Sequence, residues 1–160
     1  PFPHPALVRA PFMKLSDFDY HLPLGKAAVR REGEALTILT YLGMTSHVLA
    51  AVEETGLDAE VIDLRWLDRA SLDWETITRS VQKTNNVLIA EQGAIGTSYG
   101  GWLGDEIARR LFDWLDSPVR RVTGGEASPS ISQVLERAAI AQTEEAVAEL
   151  RDFQREIEGA

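Results

Sequence analysis

A glycine-rich run is the feature of this sequence that most suggests chemistry. Gly93-Ala-Ile-Gly96-Thr-Ser-Tyr-Gly100-Gly101 follows the apolar stretch Asn86–Ala90 and leads into an amphipathic stretch that contains Gly104. Such loops cradle phosphates when their spacing is right: a dinucleotide site needs Gly-x-Gly-x-x-Gly, and a phosphate loop ends in Gly-Lys-Ser/Thr. Neither spacing occurs, and no lysine sits near Gly100. The run therefore reads as an adaptable strand-to-helix loop that lets another surface approach closely. Glu91 ends the preceding strand at the carboxyl edge of a sheet, where open α/β sheets bind ligands. The same position suits a carboxylate that caps the neighbouring loop or helix, and both uses remain open. His4, His21 and His47 have no ligand spacing. The pairs Glu53-Glu54 and Glu144-Glu145 fall on helical stretches and read as solvated faces. With no cysteine, thiolate metal sites, disulfides and thiol nucleophiles are excluded. The run contains one Gly-x-Ser-x-Gly match, Gly96-Thr-Ser-Tyr-Gly100, a spacing that by itself specifies no nucleophile. Local spacing assembles no catalytic set.

The elements that must position these residues alternate strand and helix. Strands are predicted over Lys26–Arg31, Ala35–Tyr41, Ala59–Leu64, Asn86–Ala90 and Val119–Thr123, from β-branched runs bounded by glycine, proline and polar residues. Thr45 and Ser46 are expected to cap a helix through Val48 and Val52 that stops at Gly56. Ser71 is expected to open a second helix with Asp73 and Glu75 in its first turn. A third places Leu103, Ile107, Leu111, Trp114 and Leu115 on one stripe. A short helical piece follows around Val134 and Leu135. The last helix spans Glu144–Glu158 with Ala146, Leu150, Phe153 and Ile157 inward. This alternation predicts a three-layer α/β/α sandwich on a mostly parallel sheet.

At 160 residues the chain is the size of one domain, and 44% apolar with 26% charged residues is an ordinary globular mixture. The net charge of −9 argues against nucleic acid, which needs a basic face, and no apolar run is long enough to span a membrane. The charge is uneven, with five basic and two acidic residues over 1–31 and a net −12 thereafter. Residues 1–25 hold five of the seven prolines among Phe2, Leu7, Phe12 and Phe18. They read as an extended arm that links to a preceding domain, so the sequence is expected to be part of a longer protein, with the α/β domain over 26–160.

Several words, in order, carry a resemblance: Asp19-Tyr-His-Leu-Pro-Leu-Gly-Lys-Ala27, Thr40-Tyr-Leu-Gly-Met44, Ala59-Glu-Val-Ile-Asp-Leu-Arg65, Ser80-Val-Gln-Lys-Thr84, Val87-Leu-Ile-Ala-Glu91 and Phe112-Asp-Trp-Leu-Asp-Ser-Pro-Val-Arg-Arg-Val-Thr-Gly124. Together the chain resembles the transketolase C-terminal domain, as found in the beta subunit of thiamine-diphosphate-dependent 2-oxo acid dehydrogenases of pyruvate, branched-chain or acetoin type. The resemblance implies a five-stranded sheet with an antiparallel first strand. It also implies a parent that uses thiamine diphosphate and magnesium, held by a preceding domain and an alpha subunit, with no catalytic, cofactor or metal residue here. The partners it implies are that alpha subunit, a second beta subunit and dihydrolipoyl acyltransferase, in a bacterial cytoplasm or a mitochondrial matrix. Asp116 matches an aspartate that meets the acyltransferase's basic binding module in some members, and Glu149, Asp152 and Glu156 make the terminal region acidic. Glu91, Ile95, Tyr99 and Trp102 are expected at a subunit interface. Gly125–Ile131 departs from the family's usual acidic, Pro-x-Pro-Tyr pattern. A transketolase-like or deoxyxylulose-phosphate-synthase-like parent, or a free-standing ligand-binding domain, are the alternatives.

Overall fold

Leu36-Thr-Ile-Leu-Thr40 is buried at every position, the signature of a strand covered on both faces. It is β2, the centre of the sheet. The computed structural model describes residues 23–126 and 131–159, so the expected arm, apart from its last residues, lies outside them. The other strands are β1 (Ala28–Arg31), β3 (Ala59–Asp63), β4 (Val87–Ala94) and β5 (Arg120–Gly124). Their order is β1-β3-β2-β4-β5, with β1 antiparallel to β3 and the remaining pairs parallel. The mixed sheet is as expected.

Alternation along the strands divides the interior in two. Ile38 lies in register with Val61 and Leu88, and these pack under α1 (Met44–Thr55) and α5 (Thr143–Gly159). The next residues along, Leu39, Ile62 and Ile89, face α2 (Trp74–Thr84) and α3 (Tyr99–Leu111). Three layers result. One polar element crosses the second core: Thr37 Oγ1 bonds Ser80 and Thr84 hydroxyls at 2.6 and 2.7 Å, fixing α2 against β2. Among the described residues, no helix is long and apolar enough to cross a membrane.

Several local expectations are corrected. The helix α1 starts at Met44 with Gly43 as its cap residue and no side-chain cap bond; the Ser46 hydroxyl instead donates to the Gly43 carbonyl at 2.8 Å. Its other end is as expected, with Gly56 left-handed at φ 68°. Asp73, not Ser71, caps α2 by accepting from the Thr76 amide, and it also accepts the Ala27 amide at 3.0 Å. Ser71 donates to Asp68 one turn earlier. The helix α3 stops at Leu111 and a 3₁₀ turn follows over Phe112–Trp114, so Trp114 leaves the buried stripe and is 45% exposed. Ile157 is exposed as well. Gln154 already bonds the carbonyl of Thr55, the last residue of α1, so the final turn of α5 overhangs its support. The short α4 (Gln133–Ala139) buries none of its residues.

Candidate functional site

The strand β4 runs four residues beyond its expected end and carries Glu91 into the sheet with no exposed surface. A charge so placed must be matched by donors. Oε2 accepts from the Tyr41 hydroxyl at 2.7 Å and the Gly100 amide at 2.8 Å; Oε1 accepts from the Ser98 hydroxyl at 2.6 Å and Arg121 Nη2 at 3.0 Å. Gly100 lies in the first turn of α3, where the helix dipole also favours an anion. Burial alone drives the carboxyl pKa up, but these donors outweigh it and hold the group below its ordinary value. Burial, then the bond to Glu91, pushes the Tyr41 hydroxyl well above its usual range. A saturated carboxylate held ionised is no general base, which needs a free lone pair and a pKa near the working pH. Of the two uses open to Glu91, the geometry is that of the cap.

Glu91 holds the loop in place from one side and Arg121 from the other. The Arg121 guanidinium also donates to Ser98 Oγ at 2.9 Å and the Ile95 carbonyl at 3.2 Å. The loop presents Ile95, half exposed, beside a small aromatic shelf. Tyr99 meets Tyr41 edge-on at 6.2 Å and Trp102 at 5.1 Å, and the Arg69 guanidinium lies 4.9 Å over Trp102. The structure thus gathers Ile95, Tyr99 and Trp102 around a loop that Glu91 organises from beneath. Sequence reasoning missed Tyr41 and Arg121. Register carried the signal: Arg121 lies opposite Ile89, two residues before Glu91 on the same strand face.

Asp116 is exposed in the turn between α3 and β5. Its amide donates to the Asn85 carbonyl at 2.9 Å, and Asn85, left-handed at the end of α2, donates its side-chain amide to the Trp114 carbonyl. That latch was also missed, although an asparagine closing a helix is its sequence sign. Asp116 lines a groove of about 590 Å³ with Asp105, Phe112, Leu115, Val119 and Arg121 on the α3 side of the sheet. Glu149 and Glu156 lie on α5, on the opposite side, and converge on Arg120, which Glu149 meets at 2.9 Å. Asp152 pairs with Arg155. Three of the four expected partner-binding acids are therefore already paired within the chain.

The described residues do not fit a diphosphate or its metal. A phosphate at the start of α3 would compete with the Glu91 carboxylate for the Gly100 amide and lie against its full charge. Among the described residues no cluster of three His, Asp or Glu side chains is placed to hold a metal ion. Titration of the chain with thiamine diphosphate and magnesium is expected to give no saturable heat; micromolar binding by calorimetry would overturn that expectation.

Order and direction of strands define an α/β domain of transketolase type. The solved structure of a split gene transketolase, an inactive beta4 tetramer, shares the fold with a TM-score of 0.65 at 23% identity, over 84% of this chain and 43% of that one. Residues 25–145 match the family described as transketolase, C-terminal domain, and the chain belongs to that family. It is 45% identical over 114 residues to the 2-oxoisovalerate dehydrogenase subunit beta of Pseudomonas aeruginosa, covering 71% of this chain and 32% of that protein. It is 35% identical over 134 residues to the mitochondrial pyruvate dehydrogenase E1 component subunit beta of Dictyostelium discoideum, covering 82% and 37%. The chain spans about a third of the length of these relatives.

Proposed function

We propose that this chain serves as the C-terminal domain of the decarboxylating component of a 2-oxo acid dehydrogenase complex, where it builds subunit contacts and receives the acyltransferase. The observation that carries this reading is the 45% identity to a 2-oxoisovalerate dehydrogenase beta subunit over most of the domain. The bonding of Glu91 supports it: a carboxylate with no exposed surface and both oxygens engaged by donors organises a surface loop rather than performing chemistry. Thiamine diphosphate and magnesium would be held by other parts of the enzyme, and the decarboxylation would take place there. In this reading the loop bearing Ile95, Tyr99 and Trp102 faces an alpha or second beta subunit. Glu91, with no surface of its own, acts on that interface only through the loop. Asp116 offers negative charge to a basic acyltransferase module, whereas Glu149, Asp152 and Glu156, paired with Arg120 and Arg155, would add to it only by exchanging those partners. Bacterial and mitochondrial relatives support a bacterial cytoplasm or mitochondrial matrix as its compartment.

Asp116→Asn in the whole enzyme tests the partner role, because it keeps shape and removes charge. Affinity for dihydrolipoyl acyltransferase is expected to fall by about tenfold at low salt, with the difference shrinking as salt screens the contact. Decarboxylation read with an artificial electron acceptor should not change, nor should the melting temperature. Unchanged affinity with a lowered melting temperature would leave Asp116 only a turn-forming role.

A further inference from the structure

Apolar side chains crowd one end of the sheet. The loops after β2 and β4 and the segment after β5 all leave at its carboxyl edge. Because β1 is antiparallel and Ala28 pairs with Asp63 at the end of β3, the residues just before β1 reach the same edge. Leu24, Leu42 and Ile95 lie on it, and α4, tied to it by the Gly125 amide donating to the Ala139 carbonyl, adds Ile131, Val134 and Leu135. These are six of the ten large apolar side chains exposed among the described residues, a cluster of the kind that marks an interaction surface. Leu42 is the clearest case. Its backbone is left-handed at φ 52° and holds the side chain 81% exposed, a conformation that costs a leucine about 1–2 kcal/mol. Strain of this kind is kept where a surface is used.

The charges of this edge are divided by sign. At its β3 end the guanidinium groups of Arg65 and Arg69 pair with no carboxylate among the described residues: Arg65 donates to the Ala27 carbonyl and Arg69 lies over Trp102. At its β5 end the Glu126 and Glu136 carboxylates pair with no cation among the described residues, and the neighbouring Arg137 is taken by Glu144. We infer that a second copy of this chain docks edge to edge on this surface about a two-fold axis, which lays the β3 end of each copy over the β5 end of the other and brings Arg69 to Glu126 twice. A two-fold contact uses the same surface on both copies, so that surface must be complementary to itself. An apolar middle between a cationic and an anionic end has that property. The area suffices. Five strands about 4.8 Å apart and three layers about 10 Å thick give an edge of about 700 Å², against about 800 Å² per partner in a standard interface. The inference rests on the subunit-contact part of the role proposed above and names the subunit; acyltransferase affinity tests the other part and is read separately.

Analytical ultracentrifugation of the chain itself tests the contact, and a monomer–dimer equilibrium is expected at micromolar concentration. Leu42→Asp should raise the dimer dissociation constant at least about tenfold and leave the circular-dichroism spectrum unchanged, since aspartate tolerates a left-handed backbone. Arg69→Glu turns two attractions into two repulsions and should weaken the dimer about tenfold at low salt. R69E/E126R should restore it, because the charges are exchanged rather than lost. A monomer at every concentration up to about 1 mM would overturn the proposal and leave the edge to a different subunit. A dimer indifferent to Leu42→Asp and Arg69→Glu, or association that runs past the dimer, would overturn it too.

Discussion

Glu91→Ala is expected to cost about 3–5 kcal/mol of stability, because it strands a guanidinium, two hydroxyls and a helix-end amide that all converge on one carboxylate. In a domain of this size that lowers the melting temperature by about 10 °C. Calorimetric or circular-dichroism melting checks it, and a loss under about 1 kcal/mol would show that the network is dispensable. Glu91→Gln, which keeps the shape, should be less costly. The pH dependence has a definite sign. The folded-state pKa lies below its ordinary value, so the contribution is fully present above the unfolded-state pKa. It is lost as the pH falls through the folded-state value. Acid titration of the wild type should show this loss, and Glu91→Gln should flatten it.

Gly33→Ala is expected to be comparably damaging for a steric reason. A Cβ there would stand 2.2 Å from the Ala59 carbonyl carbon and 2.5 Å from the Glu60 nitrogen, both backbone atoms of the adjacent strand β3. Backbone cannot swing aside as a side chain can, so β1 and β3 must separate, at a cost of about 3 kcal/mol or more. Gly125→Ala is the control, since a Cβ there meets nothing within 4 Å among the described residues and should be nearly neutral. Denaturant unfolding of the two variants compares them directly; equal midpoints would refute the packing at Gly33.

What could be foreseen follows from the range over which the physics acts. The strands, the helices and a mostly parallel sheet were legible because periodicity and turn residues are local, while the ordered words over most of the chain pointed to the family and, through it, to the antiparallel first strand. The boundaries that moved were decided at longer range. Ser71 looked like a cap until Asp73 was also required by the Ala27 amide, 46 residues away. Trp114 fitted the α3 stripe, but the chain leaves the helix after Leu111 and is held there by Asn85. Glu91 was visible as an unusual carboxylate at a strand end. Its partners Tyr41 and Arg121 come from β2's far end and from β5, and only the strand order β2-β4-β5 brings them together. The aromatic shelf likewise needs α3 folded back beside Tyr41.

Arg120 and Arg121 are neighbours on β5, the last strand, and project to opposite faces, one clasping α5 and the other the loop before α3. An outermost strand is a template for unwanted pairing with another chain. Here the margin is crowded by two guanidinium groups with their bound glutamates, and a second β5 approaching it would bring like charges face to face, which is destabilising. The same pair of cations that secures both layers therefore discourages the sheet from growing beyond β5.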